Sequence, residues 1–234
     1  MIREPDLLAF AHLHPPTIDT VSFLSALPAL PAGRYRVYGD IVHESGFTQT
    51  VSTKVDLPEP TKANARPTDP DDASYVAATA PNGTSATLED GSVITLERGA
   101  SFVEGKDASL RFTAVGKDGK PLALQPYIGM AGHAVVSRDD GAVFVHLHPS
   151  GTISMASQMS FMMRQPGDSI AGRLGQRMKA SEASHPVTSV PANGVVSFPY
   201  AFPKPGKYHM WVQVKHGGRI LTGAFAFEVQ PAKG

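Results

Sequence analysis

The chain has 234 residues, 41% of them hydrophobic and 18% charged, and its 21 Lys+Arg balance 21 Asp+Glu. That length supplies one large core or two small ones, and zero net charge argues against nucleic acid, whose binders carry a basic surplus to displace counterions. Cysteine is absent, which removes disulfides, thiolate metal sites and cysteine nucleophiles together, and no apolar run approaches the roughly 18 residues that cross a bilayer as a helix.

Self-similarity organises the chain from its first residues onward. Phe10-Ala11-His12-Leu13-His14-Pro15 returns as Phe144-Val145-His146-Leu147-His148-Pro149, 134 residues later. Val21-Ser22-Phe23 returns as Val196-Ser197-Phe198, and Pro31-Ala32-Gly33-Arg34-Tyr35 as Lys204-Pro205-Gly206-Lys207-Tyr208, with His43 falling on His216. Short matches in one order read as two copies of one module. Residues 1–57 form the C-terminal part of a first β-sandwich module, and 58–85, with four prolines between Leu57 and Asp72, form a linker. Residues 86–230 form a complete second module with an insertion at 150–194. On this correspondence the first module lacks counterparts of residues 86–134, which leaves an open edge and an uncovered apolar face. The expectation is a start displaced downstream, with any export signal or membrane tether lying upstream of Met1, or completion by another chain.

In the second module, strands are expected at Ser92–Arg98, Ser109–Val115, His133–Arg138, Ala142–His148, Val195–Phe202, Lys207–His216 and Arg219–Val229. Asp118-Gly119, Asp140-Gly141 and Gly217-Gly218 sit between such runs as hairpin turns. Twenty prolines and 22 glycines suit short strands joined by turns. The fold class is all-β: two tandem sandwiches of immunoglobulin or cupredoxin type, with a partly helical insertion. Tyr35, Tyr208, Phe198, Phe202 and Trp211 read as sandwich core.

Nine histidines carry the chemical interest. Alternation along a strand puts His146 and His148 on one face, about 6.6 Å apart. A two-residue turn at Asp140-Gly141 pairs Arg138 with Val143 and brings His133 opposite His148, so three imidazoles share a face; a three-residue loop breaks that convergence. Three imidazoles with an open position suit zinc, copper, nickel or iron. The plainer reading is that they are strand residues hydrogen-bonded to carboxylates or backbone. His43 and His216, at matching positions beside turns, are weaker candidates for a fourth ligand, and His185 and His209 are ordinary residues. Met155, Met159 and Met162 fall on one helical stripe of the insertion. Their thioethers favour Cu(I) if they reach the histidines, and otherwise pack against a core. Residues 165–195 read as a mobile flap. No nucleophile elbow, phosphate loop or dinucleotide fingerprint occurs, so no enzyme is expected.

Tyr127-Ile-Gly-Met-Ala-Gly-His133, Val143-Phe-Val-His-Leu-His-Pro149, Phe202-Pro-Lys-Pro-Gly-Lys-Tyr208 and Trp211-Val-Gln-Val214 together resemble the YtkA-like group. That resemblance spans about 108–229 and 10–57. It implies an exported or envelope-attached β-sandwich linked with copper or other heavy metals. It also implies His133, His146 and His148 as ligands, with His12 and His14 as counterparts of the last two; the first module lacks the Gly-His element. The expected function is non-enzymatic binding of copper, or zinc as the alternative, by a chaperone, sensor or buffer with an envelope protein partner. The alternative is a structural or protein-interaction tandem sandwich without metal.

Overall fold

Short β-branched and aromatic runs between glycines and prolines set the element order. In the computed structural model, which describes residues 1–19, 21–60, 69–97, 101–182, 190 and 193–233, the first part contains β1 (Ile2–Glu4), β2 (Ala9–His12), β3 (Gly33–Val42), β4 (Thr48–Leu57) and β5 (Ala73–Val76). Then follow β6 (Ser85–Thr87), β7 (Val93–Leu96), β8 (Asp107–Val115), β9 (His133–Arg138) and β10 (Phe144–Leu147). Helices α1 (Met155–Met162) and α2 (Arg173–Glu182) precede β11 (Val195–Ala201), β12 (Gly206–His216) and β13 (Arg219–Val229). The fold is all-β, in three antiparallel sheets ordered β4-β3-β1-β2-β5, β10-β9-β12-β13 and β11-β8-β7-β6. All seven expected strands are present, β9 and β13 with the expected bounds.

The last two sheets enclose the main core, in which Phe112, Phe198, Phe202, Tyr208, Met210 and Phe225 are buried. The first sheet repeats the second: β1, β2, β3 and β4 stand in the order of β9, β10, β12 and β13. In both copies the Gly-x-Tyr element does the same work, Tyr35 Oη donating to Pro31 O at 2.8 Å and Tyr208 Oη to Lys204 O at 2.7 Å. β5 lies inside the range read as linker and pairs with β2; residues 61–68 of that range lie outside the described residues.

The first sheet does not leave its apolar face uncovered. It lies on the outer face of β9, β12 and β13, where Ile2, Leu7 and Phe10 meet Val135, Trp211 and Ala224. Phe10 stacks on Trp211 with centroids 4.9 Å apart, and Tyr38 stacks on Phe144 at 3.6 Å. In the repeat Phe10 matches Phe144 and Tyr38 matches Trp211, so the two stacks are one contact made twice with the roles exchanged, as across a two-fold axis. Trp211 therefore belongs to this inter-sheet layer and not to the sandwich core. The middle sheet is covered on both faces, which is why Met210, Trp211, Val212, Gln213 and Val214 are all buried in succession.

Two expectations from the repeat and the turns change. Val196 and Phe198 are buried in β11, whereas Val21 and Phe23 are 81% and 49% exposed and lie outside the named strands, Phe23 bridging Thr17 and Val21 N–H donating to Asp19. The β9–β10 hairpin has the expected register, Phe144 on Ser137 through Leu147 on Ala134. Its turn is closed by Gly141 N–H donating to Arg138 O, with Gly141 at φ +70°, and not by a tight Asp140-Gly141 pair.

Candidate metal centre

β2 ends in His12, β9 begins with His133, and β10 carries His146. Because the first sheet lies on the middle one, these three imidazoles from distant sequence meet: one ring nitrogen of each lies within 4.8 Å of the others, a grouping made among the described residues. His133 Nδ1 is 3.1 Å from His146 Nε2. His14 and His148 flank the trio, His14 with its ring 4.5 Å from that of His12, and His148 4.5 Å from His146 and 4.9 Å from His133. The expected trio of His133, His146 and His148 is thus a neighbourhood within a larger one, and the tightest grouping takes its third member from the first sheet.

Gly132 explains the Gly-His element. A Cβ at this position would stand 2.7 Å from the backbone oxygen of Gln213 on β12, so only glycine lets β9 start this close to β12 with His133 paired on Gln213. The turn before it is tight, Tyr127 and Met130 exchanging both backbone hydrogen bonds with Ile128 at φ +46° and Gly129 at φ +74°. After His148, Gly151 exchanges both backbone bonds with it and fixes the end of the motif.

The supports of the imidazoles cross between the sheets. Asp40 on β3 places Oδ2 3.4 Å from His146 Nδ1, while Gln213 on β12 places Oε1 2.7 Å from His12 Nδ1. Gln213 Nε2 in turn donates to Thr222, which orients the amide oxygen toward His12. Tyr127 Oη adds a contact at 3.2 Å to His12 Nδ1 and donates to Asp71 O. Beside His14, Asp72 Oδ1 accepts the backbone N–H and lies 3.3 Å from Nδ1 without hydrogen-bonding it, so both ring nitrogens of His14 are buried without a hydrogen-bond partner. A partner on one ring nitrogen fixes the ring and leaves the other nitrogen for an ion. His133 Nε2 and His148 Nδ1 are buried without a hydrogen-bond partner, an arrangement that is unfavourable for a polar atom unless something fills it.

Burial, and then the neighbouring imidazoles, push His12 and His133 well below the ordinary histidine value and bring His148 to about 4. Burial also lowers His14, against the pull of Asp72 and Asp69. Neutral imidazole is the metal-binding form. Burial alone would raise Asp40, but hydrogen bonds from His146 and Thr50 hold it below its usual range. Buried Tyr127 is pushed up and stays a neutral hydroxyl.

The remaining histidine candidates have other partners. His43 bonds Gln49 in the β3–β4 hairpin and His216 bonds Ala123 O at the end of β12. His209 pairs with Asp139, and His185 lies outside the described residues. In α1, capped by Ser154, the buried residues are Ser157 and Ser160. Met155 and Met159 are half-buried, the Met155 methyl 3.7 Å from where a Gly129 Cβ would lie, and Met162 is 84% exposed. The insertion is docked on the β3–β4 hairpin: Ser157 Oγ donates to Gly46 O, and Glu44 accepts the backbone N–H groups of Gly172 and Gly175 at the start of α2.

Asp40 and Gln213 escaped the sequence reading, although the repeat that aligns Tyr35 with Tyr208 also aligns this pair. No curated protein matches the chain. A family model described as Domain of unknown function (DUF8832) matches residues 86–170 and 174–231, a span that holds His133, His146, His148 and Gln213 but not His12 or Asp40. With more than half of its residues in that match, the chain belongs to the DUF8832 family.

Proposed function

We propose that the chain is a non-enzymatic metal-binding protein that takes copper, with zinc as the alternative ion, and serves as a chaperone, sensor or buffer. The observation that carries this reading is the trio His12, His133 and His146, with donor nitrogens within 4.8 Å of one another. An all-imidazole donor set suits copper and zinc, and among divalent ions copper binds such nitrogens more tightly. A place in the cell envelope and an envelope partner rest on the motif resemblance alone.

The test is titration of the full chain with Cu(I), Cu(II) and Zn(II), beside a His146→Ala/His148→Ala variant. One ion bound tightly and lost in the variant supports the reading. No binding by a folded chain overturns it and favours a protein-interaction role, for which the exposed apolar stretch of Ile18, Val21, Phe23 and Leu24 is the supporting observation.

A further inference from the structure

We infer that the ion acts as a clasp between the two repeats, so that loading the site and docking the first sheet on the middle sheet are one coupled event. The inference rests on the metal-binding reading and adds its regulation.

Three observations carry it. The trio is divided between sheets, with His12 on β2 and His133 and His146 on β9 and β10. The supports are exchanged as well: the first repeat's Asp40 holds the second repeat's His146, and the second repeat's Gln213 holds the first repeat's His12. His12 matches His146 in the repeat, and Asp40 matches Gln213. The same exchange recurs in the two aromatic stacks. The histidines therefore sit near a local two-fold relation, with His12 and His146 as counterparts, their rings 4.6 Å apart. Neither repeat contains the trio. An ion that binds only the docked arrangement must stabilise that arrangement, and an ion released must loosen it by the same linkage.

Two measurements on the full chain test this. Hydrogen exchange is followed with and without Zn(II), and Zn(II) affinity is compared among the wild type, His12→Asn and His146→Asn, each first shown to be folded. A clasp slows exchange about tenfold or more in β2 and β3 as well as β9 and β10, and both substitutions weaken binding by similar factors of at least about tenfold. Protection confined to β9 and β10, or wild-type affinity in His12→Asn, overturns the clasp while leaving metal binding intact. Absence of any Zn(II) or copper binding by the wild type overturns the underlying reading and the clasp with it. If His12→Asn fails to fold, the wild-type exchange experiment decides alone.

Discussion

Asp40 meets the trio at His146 Nδ1, and its effect is to aim that ring. Asp40→Asn is therefore expected to weaken metal binding by about 10- to 100-fold, the range for loss of a carboxylate behind a ligand, with an unchanged circular dichroism spectrum; unchanged affinity in a titration would remove Asp40 from the site. Gly132→Ala is expected to act by a different route, since its methyl would press on the backbone of Gln213 and push His133 off its register. Both stability and affinity should fall, and a chemical denaturation curve beside the titration separates this from Asp40→Asn. The same residues set the acid response. His12, His133 and His148 titrate below their unfolded values, so as pH falls below about 6.5 the unfolded chain takes up protons that the folded chain refuses. Stability is present in full above that point and is lost progressively toward about pH 4, the value for His148. Metal-free protein should melt several degrees lower at about pH 5 than at about pH 7.5; a flat profile would contradict the burial of neutral imidazoles.

At the scale of elements, the seven second-module strands were legible because β-branched and aromatic runs are bounded by turns that contain glycine, even where a strand has only four residues, as in β7 and β10. β1 and β5 were not, since Ile2-Arg-Glu is too short for a period and Ala73–Val76 follows a proline-rich stretch; their pairing is supplied by β2 and β3. The β9–β10 register was legible although the turn type was not, because two turn geometries give one register here. The insertion was read as a flap with a methionine stripe, yet α2 begins on the carboxylate of Glu44 from another hairpin, a contact no local pattern announces. Glu44→Ala is expected to free that helix start. Limited proteolysis should then cut the insertion faster between Gln165 and Glu182, with the sandwich left intact, and an unchanged cleavage pattern would show the contact to be idle. Between the sheets, Phe10 and Trp211 are both about 1% exposed. Phe10→Ala is expected to destabilise the chain by roughly 3–5 kcal/mol, as for a large buried aromatic, measured by urea denaturation.

For the whole molecule, the sequence showed two repeats but not that one lies on the other. Trp211 could be recognised as buried, but which sheet it faced depended on contacts between residues some 200 positions apart. The uninterrupted apolar run on β12 was the available sign of a strand covered on both faces. The candidate site was half legible for the same reason: strand geometry grouped the second-module histidines and the repeat singled out His12, but its meeting with His133 and His146 came from packing. Because the ion would bind only the folded chain, metal at about 100 times its dissociation constant should add roughly 2.7 kcal/mol. That corresponds to a rise of about 5–10 °C in melting temperature for a chain of this size. A thermal melt with metal and again after chelation checks this, and no rise despite binding would mean the site survives in the unfolded chain.

The matched positions of Asp40 and Gln213 have a consequence for charge. Two identical copies meeting about an axis would have to carry two carboxylates or two amides behind their paired histidines. Here one imidazole is backed by an anion and its counterpart by a neutral amide. A bound cation is thereby offset by one nearby negative charge, which stands behind His146 and not behind His12. Covalent linkage of the repeats lets the two halves of one site diverge, an inequality that an assembly of identical subunits cannot encode.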